Sequence, residues 1–133
     1  MEEKSNEATP QRKQDHVLDA QLVSIDIPAF MEQLKQESPW KDSDRNTITV
    51  FKTDGMRIVL IGLHEGAKMA KHLAEGIISV QVLEGQINFT TELQTVTLHK
   101  GQMLALHERI PHSVLAIKET FFLLTLTTTH TAK

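Results

Sequence analysis

The chain contains no cysteine and no tyrosine among its 133 residues. Without cysteine it forms no disulfide, offers no thiolate nucleophile and cannot build a cysteine-based zinc site. Without tyrosine it has no phenol for acid or base catalysis. Histidine, which occurs seven times, therefore remains the side chain best suited to proton transfer or metal binding near neutral pH.

The sequence also contains no long apolar run, no apolar stretch near its first residues and no excess of basic residues. No run of about 18 apolar residues occurs, so we expect no membrane-spanning helix and no membrane partner. The opening residues MEEKSNE contain no apolar stretch after a basic start, which predicts a protein without a secretory signal, in the cytoplasm. Fourteen basic against seventeen acidic residues give a net charge of −3, which argues against a nucleic-acid partner.

Polarity divides the N-terminal part of the chain. Residues 1–20 are polar and mixed in charge, which predicts a flexible tail, and residues 129–133 are expected to form a second one. Residues 21–46 carry apolar side chains at helical spacing around Phe30, which predicts a short helix that ends before Ser38-Pro39. Trp40 follows in a polar loop, and we expect it to anchor this segment onto the main body. A ligand-stacking aromatic is the alternative.

Residues 47–128 are predicted to form a succession of short β-strands. Apolar and β-branched residues dominate these segments, and turns such as Asp54-Gly55, Glu84-Gly85 and Lys100-Gly101 separate them. About eight strands with almost no helix between them indicate an all-β chain, built as an antiparallel sandwich or barrel.

Two arrays of glycine and histidine lie within this β region. In chain order the first contains Gly66, His72, Ala74, Ile78 and Gly85, and the second contains Gly101, His107, Arg109, His112 and Ala116. Fifteen residues separate Gly85 from Gly101. This spacing resembles the paired motifs of the cupin superfamily, in particular its small, single-domain RmlC-like members. The resemblance implies a double-stranded β-helix, the cupin jelly roll, over residues 47–128, and a homodimer.

The resemblance also implies a divalent metal, held by two histidines and a glutamate of the first motif and one histidine of the second. His72 and His112 match two of these positions, whereas Ala74 and Ile78 occupy the other two. His107, which lies just before a turn that leads to His112, and Glu75, close after His72, are the substitutes that would complete a set of ligands. Zinc, nickel, iron and manganese all accept imidazole, so the sequence does not select among them.

The histidines also have an explanation without metal, in which they hydrogen-bond to carbonyl groups or ordered water inside an apo pocket. Three functions follow from these alternatives: a module that binds an unidentified small molecule, with or without a metal; a metal-dependent oxygenase or isomerase; and a non-catalytic assembly protein, which a solid barrel without a cavity would indicate. The apolar residues at two ligand positions favour the binding module. The sequence assigns no catalytic residue.

Overall fold

The computed structural model describes residues 18–128, which form two antiparallel β-sheets and two short helices. The predicted tails lie almost entirely outside this range, as do His16 and His130. The elements, in chain order, are α1 (Ile27–Gln36), α2 (Ser38–Asp42), β1 (Arg45–Lys52), β2 (Met56–Leu63), β3 (Lys68–His72), β4 (Ile78–Glu84), β5 (Gln86–Thr90), β6 (Thr95–His99), β7 (Met103–Leu106), β8 (His112–Ala116) and β9 (Thr120–Thr127).

The two sheets pack face to face. The five-stranded sheet has the order β1-β2-β9-β4-β7, and the four-stranded sheet has the order β3-β8-β5-β6. Successive side chains of a strand point to opposite faces, so every second residue contributes to the interior. The inner faces enclose a continuous buried cluster that includes Ile61, Val80, Ile87, Val114 and Phe122. The all-β class and the antiparallel two-sheet architecture predicted from the sequence are confirmed.

A second apolar cluster lies on the outer face of the five-stranded sheet, under the two helices. It contains Leu34 of α1, Trp40 of α2, Ile48 of β1, Leu60 of β2 and Phe121 of β9. Strand β2 is therefore covered on both faces, which explains why its sequence IVLIGL is almost continuously apolar instead of alternating.

Trp40 lies in α2 and not in the polar loop that the sequence predicted. Pro39 occupies the first turn of this helix, where its fixed φ favours helix and its missing N–H is not needed. The indole is 8% exposed. It stacks on the His64 ring at 3.7 Å between ring centroids and contacts the Phe121 ring at 5.1 Å. This aromatic stack is one of the contacts that fix the helices to the sheet.

Asn46 connects the helices to the first strand from a fully buried position. Its Nδ2 donates to the Leu34 carbonyl at 3.1 Å and to Glu37 Oε1 at 2.9 Å, and its Oδ1 accepts from the Thr47 amide at 2.9 Å. The side chain is 1% exposed and satisfied at both ends. Because Leu34 and Glu37 lie at the end of α1, these bonds set where α1 ends relative to the sheet.

Strand β3 is the one strand that the sequence analysis did not predict. Its residues Lys68–His72 read KMAKH, and four of the five are exposed. An edge strand of this kind shows no apolar alternation, so its sequence resembles a loop.

Within residues 18–128, no helix is long and apolar enough to cross a membrane.

Candidate functional site

The inner faces of both sheets are apolar along most of their length and become polar at one end. In β2, the inward-facing residues Val59, Ile61 and Leu63 belong to the core cluster, and the same alternation extends to Arg57 at the start of the strand. In β8, the inward series runs from Ala116 and Val114 back to His112. Polar side chains from opposite walls therefore meet at a single mouth of the barrel.

A bulge in β3 brings His72 to this mouth. Met69 pairs with Val114, but the next registered pair is His72 with His112, so β3 contains one more residue than β8 over this stretch. Without the extra residue, Lys71 would lie opposite His112. A β-bulge reverses which residues face inward, and bulges commonly re-aim a side chain beside a site.

His72 and His112 form a close pair. Their ring centroids are 4.4 Å apart with an interplanar angle of 60°. His112 is 4% exposed and stacks on the Phe89 ring at 5.1 Å, whereas His72 is exposed. The structure thus brings together the two histidines that match ligand positions of the cupin motifs.

Both imidazoles are fixed by hydrogen bonds to backbone carbonyls. His72 Nδ1 donates to the Ala70 carbonyl and His112 Nδ1 donates to the Ile110 carbonyl, each at 2.9 Å. A carbonyl oxygen can only accept, so the hydrogen bond itself assigns the proton to Nδ1. In a neutral ring, Nε2 is then an acceptor. Neither Nε2 has a hydrogen-bond partner within residues 18–128.

The pKa of His112 lies below its ordinary value. Burial is the main cause, because removal from water disfavours the charged ring, and the neighbouring His72 acts in the same direction. The hydrogen bond to the Ile110 carbonyl opposes both effects. At neutral pH His112 therefore presents an uncharged ring with an acceptor Nε2.

The predicted substitute ligands do not join the pair in a cluster. The side chain of His107 is 86% exposed and lies 3.6 Å from Glu108 Oε1. Glu75 lies at the rim and approaches Arg109 Nη1 at 3.9 Å. Ile78, at a third ligand position of the cupin pattern, is 2% exposed and belongs to the core.

The donor set around the pair does not fit a tightly held metal. No group of three or more histidine, aspartate or glutamate side chains in residues 18–128 is arranged to hold an ion. Tight sites for zinc and similar ions use three or four protein ligands. His72 and His112 alone supply two imidazoles, with apolar side chains from Ala74 and Ile78 beside them.

Arg109 links the two loops that adjoin the histidine-bearing strands. Its amide donates to the Ala74 carbonyl at 2.8 Å, which joins the turn before His112 to the loop after His72. Its φ of +57° is in the left-handed region that favours glycine.

A cavity of about 510 Å³ opens beside the histidine pair, and we call it the mouth cavity. Its walls include apolar side chains from β4 and β9, namely Ile78, Leu124 and Leu126. Its polar lining includes Lys52 and Arg57 in addition to the two histidines. Sequence reasoning missed Arg57, because the almost continuously apolar sequence of β2 does not show which of its faces lies inside.

No protein-family model matches the chain, and no curated protein matches it in sequence. Similar solved structures include a cupin superfamily protein from Desulfitobacterium hafniense, 15% identical, with a TM-score of 0.62 over 64% of this chain and 78% of that one. A cupin-2 domain-containing protein from Shewanella frigidimarina is 15% identical, with a TM-score of 0.63 over 78% of this chain and 94% of that one.

A larger structure is also similar. Salicylate 1,2-dioxygenase from Pseudoaminobacter salicylatoxidans is 16% identical, with a TM-score of 0.71 over 84% of this chain but only 35% of that one. At such low identity the likeness establishes the fold and leaves the activity open. The chain has the cupin fold, as the spacing of its glycines and histidines predicted.

Proposed function

We propose that the chain binds a small organic molecule in the mouth cavity, with His72 and His112 as its polar contacts. The observation that carries this proposal is the pair of imidazoles at a cavity of about 510 Å³, each with an Nε2 that no described residue engages. Ligand sites are typically concave and mostly apolar, with a few polar groups that fix orientation.

The tautomers suggest which ligand group faces the histidines. A neutral imidazole with its proton on Nδ1 accepts at Nε2, so its natural partner is a hydroxyl or N–H group. His112, with its lowered pKa, favours such a donor over an anion at this wall. One neighbour of the fold, the salicylate dioxygenase, was solved in complex with gentisate, which is itself a small organic molecule.

The proposal is tested by filling the cavity. Ala74 lines it and packs against the core, so Ala74→Phe places an aromatic ring inside. The matched control is Ala105→Phe, since Ala105 is exposed on β7 and does not line the cavity. We expect small-molecule fragments detected by ligand-observed NMR to bind the wild type and the control but not Ala74→Phe. Fragments that bind all three proteins equally would overturn the proposal.

The oxygenase and isomerase alternatives are tested by metal content. Because the described residues supply two imidazoles and no third ligand, we expect well under one metal per chain in tag-free protein, measured by elemental mass spectrometry. About one metal per chain, lost in His72→Ala and in His112→Ala but kept in His99→Ala, would replace the binding module by a metal enzyme.

The assembly alternative required a solid barrel, and the mouth cavity argues against it. The homodimer implied by the cupin resemblance stays a prediction. Light scattering coupled to size-exclusion chromatography would measure it, and it is compatible with ligand binding.

A further inference from the structure

Arg57 is a half-buried arginine whose charge no described residue neutralises. Within residues 18–128, its guanidinium makes no ion pair and no hydrogen bond. The other two arginines in this range each have a carboxylate partner: Arg45 approaches Asp44 at 2.9 Å and Arg109 approaches Glu75 at 3.9 Å. A guanidinium whose N–H donors no described residue uses can hold a partner that arrives from outside.

The strand register places this cation on the wall of the mouth cavity opposite the histidines. Arg57 pairs with Leu126 of β9, and Leu126 pairs with Ile78 of β4, so the three form one row across the five-stranded sheet. All three line the cavity. His72 and His112 belong to the other sheet. An occupant therefore meets a guanidinium at one wall, imidazoles at the other and aliphatic side chains between them.

The charges of the lining favour an anionic group at the Arg57 wall. Lys52, the cross-strand partner of Arg57, also lines the cavity, and neither residue brings a negative charge to this wall. The carboxylate of Glu75 lies at the rim beside Arg109, which offsets its charge. A guanidinium presents parallel N–H groups that match the two oxygens of a carboxylate.

We propose that the ligand of the mouth cavity is a small organic carboxylate, held through its carboxylate by Arg57, with an apolar body against Leu126 and Ile78. This inference rests on the proposed function, because it names the ligand class of the same cavity. A monovalent carboxylate matches a single arginine fork, and the aliphatic walls match a hydrocarbon or aromatic body. A hydroxyl at the far end of such a molecule would reach the imidazole acceptors.

The test uses pairs of ligands that differ only in charge: benzoate and benzamide, 3-hydroxybenzoate and 3-hydroxybenzamide, hexanoate and hexanamide. Dissociation constants are measured by NMR titration of the full chain. We expect each acid to bind the wild type about tenfold or more tightly than its amide, because a charge-assisted hydrogen bond contributes that much. In Arg57→Met the ratio should fall to about one, with amide binding retained.

Two further variants keep the result interpretable. Arg45→Met removes a surface arginine that does not line the cavity, and it should leave the acid-to-amide ratio unchanged. Arg57→Lys keeps the charge without the planar fork and should give an intermediate acid-to-amide ratio. It replaces Arg57→Met in the test if that variant does not fold. Far-UV circular dichroism checks the fold of each variant.

The outcomes separate this inference from the function beneath it. Acids and amides that bind the wild type equally, and fail to bind Ala74→Phe, would overturn the carboxylate while leaving the binding module. An acid preference that persists in Arg57→Met would move recognition to another cation and overturn the role of Arg57. No binding by any member of the panel would count against both proposals.

Discussion

Gly85 allows backbone strain and steric collision to be measured separately. It lies between β4 and β5, where the chain passes from one sheet to the other, and its φ is +98°. A Cβ at this position would stand 2.7 Å from Thr120 Cα and would also collide with the Glu119 carbonyl. Gly101 has a similar φ of +87°, but a Cβ there would meet no atom within 4 Å.

Both glycine-to-alanine substitutions should therefore lose stability through backbone strain, but only Gly85→Ala should lose more through steric collision. A residue other than glycine in the left-handed region costs about 1–2 kcal/mol, partly offset by the lower entropy of the unfolded chain, worth about 0.4–1 kcal/mol. Gly101→Ala should lose about 1 kcal/mol. Gly85→Ala should lose about 1–3 kcal/mol more, because Thr120 must move and crowding of a packed region costs that much. Movement of Thr120 also strains the hydrogen bond that its Oγ1 accepts from the Gln86 amide at 3.0 Å.

The assay is urea unfolding followed by Trp40 fluorescence, with far-UV circular dichroism as a second probe. Trp40 is the single tryptophan and is 8% exposed, so its emission reports loss of the native structure. Coincident transitions would support two-state analysis of the free energy of unfolding. Gly85→Ala should unfold at a midpoint well below that of Gly101→Ala. If the two variants lost the same free energy of unfolding within about 0.5 kcal/mol, the reasoning would be refuted, because the steric collision at Gly85 predicts a larger difference.

Two further predictions concern buried polar groups. Asn46→Ala should lower the free energy of unfolding by about 2–4 kcal/mol, because the Leu34 carbonyl and the Glu37 carboxylate lose their shared donor. Asn88→Ala, on the surface of β5, is the control and should cost under about 1 kcal/mol in the same urea unfolding assay. Equal losses in the two variants would contradict this prediction. Burial lowers the pKa of His112 below the ordinary histidine value of about 6.5, so the unfolded chain takes up a proton that the folded chain resists. Stability should therefore fall as the pH decreases below about 6.5. The dependence of unfolding free energy on pH should be weaker in His112→Gln, and an unchanged dependence would argue against this origin.

The fold could be predicted because its signals are local. Turn glycines such as Gly85 and Gly101 mark strand ends, and the Asp54-Gly55 turn does connect two antiparallel strands, β1 and β2. Strand β3 escaped prediction because a polar edge strand has no alternation to detect. The start of α2 was not predicted, because Pro39 was interpreted as the end of the preceding helix, although proline is equally typical of the first turn of a helix.

The site could be predicted only in part, since its remaining components depend on register. The spacing of the two arrays singled out His72 and His112, and the structure places them side by side. The bulge that turns His72 inward depends on how β3 pairs with β8, which the sequence of β3 alone does not reveal. Arg57 becomes visible as a cavity residue only once β2 is known to line the interior.

The arrangement of the inner faces has a consequence for how chains of this architecture can diverge. The core cluster contains neither Arg57 nor His72 nor His112, although all three lie on strands that contribute to it. Each of these three strands thus combines residues that pack in or against the core with a residue near one end that lines the mouth cavity. Exchanging those residues would change the chemistry of the cavity wall while most of the buried apolar contacts remain. Single substitutions at one rim can therefore alter the cavity without rebuilding the interior that makes the chain fold.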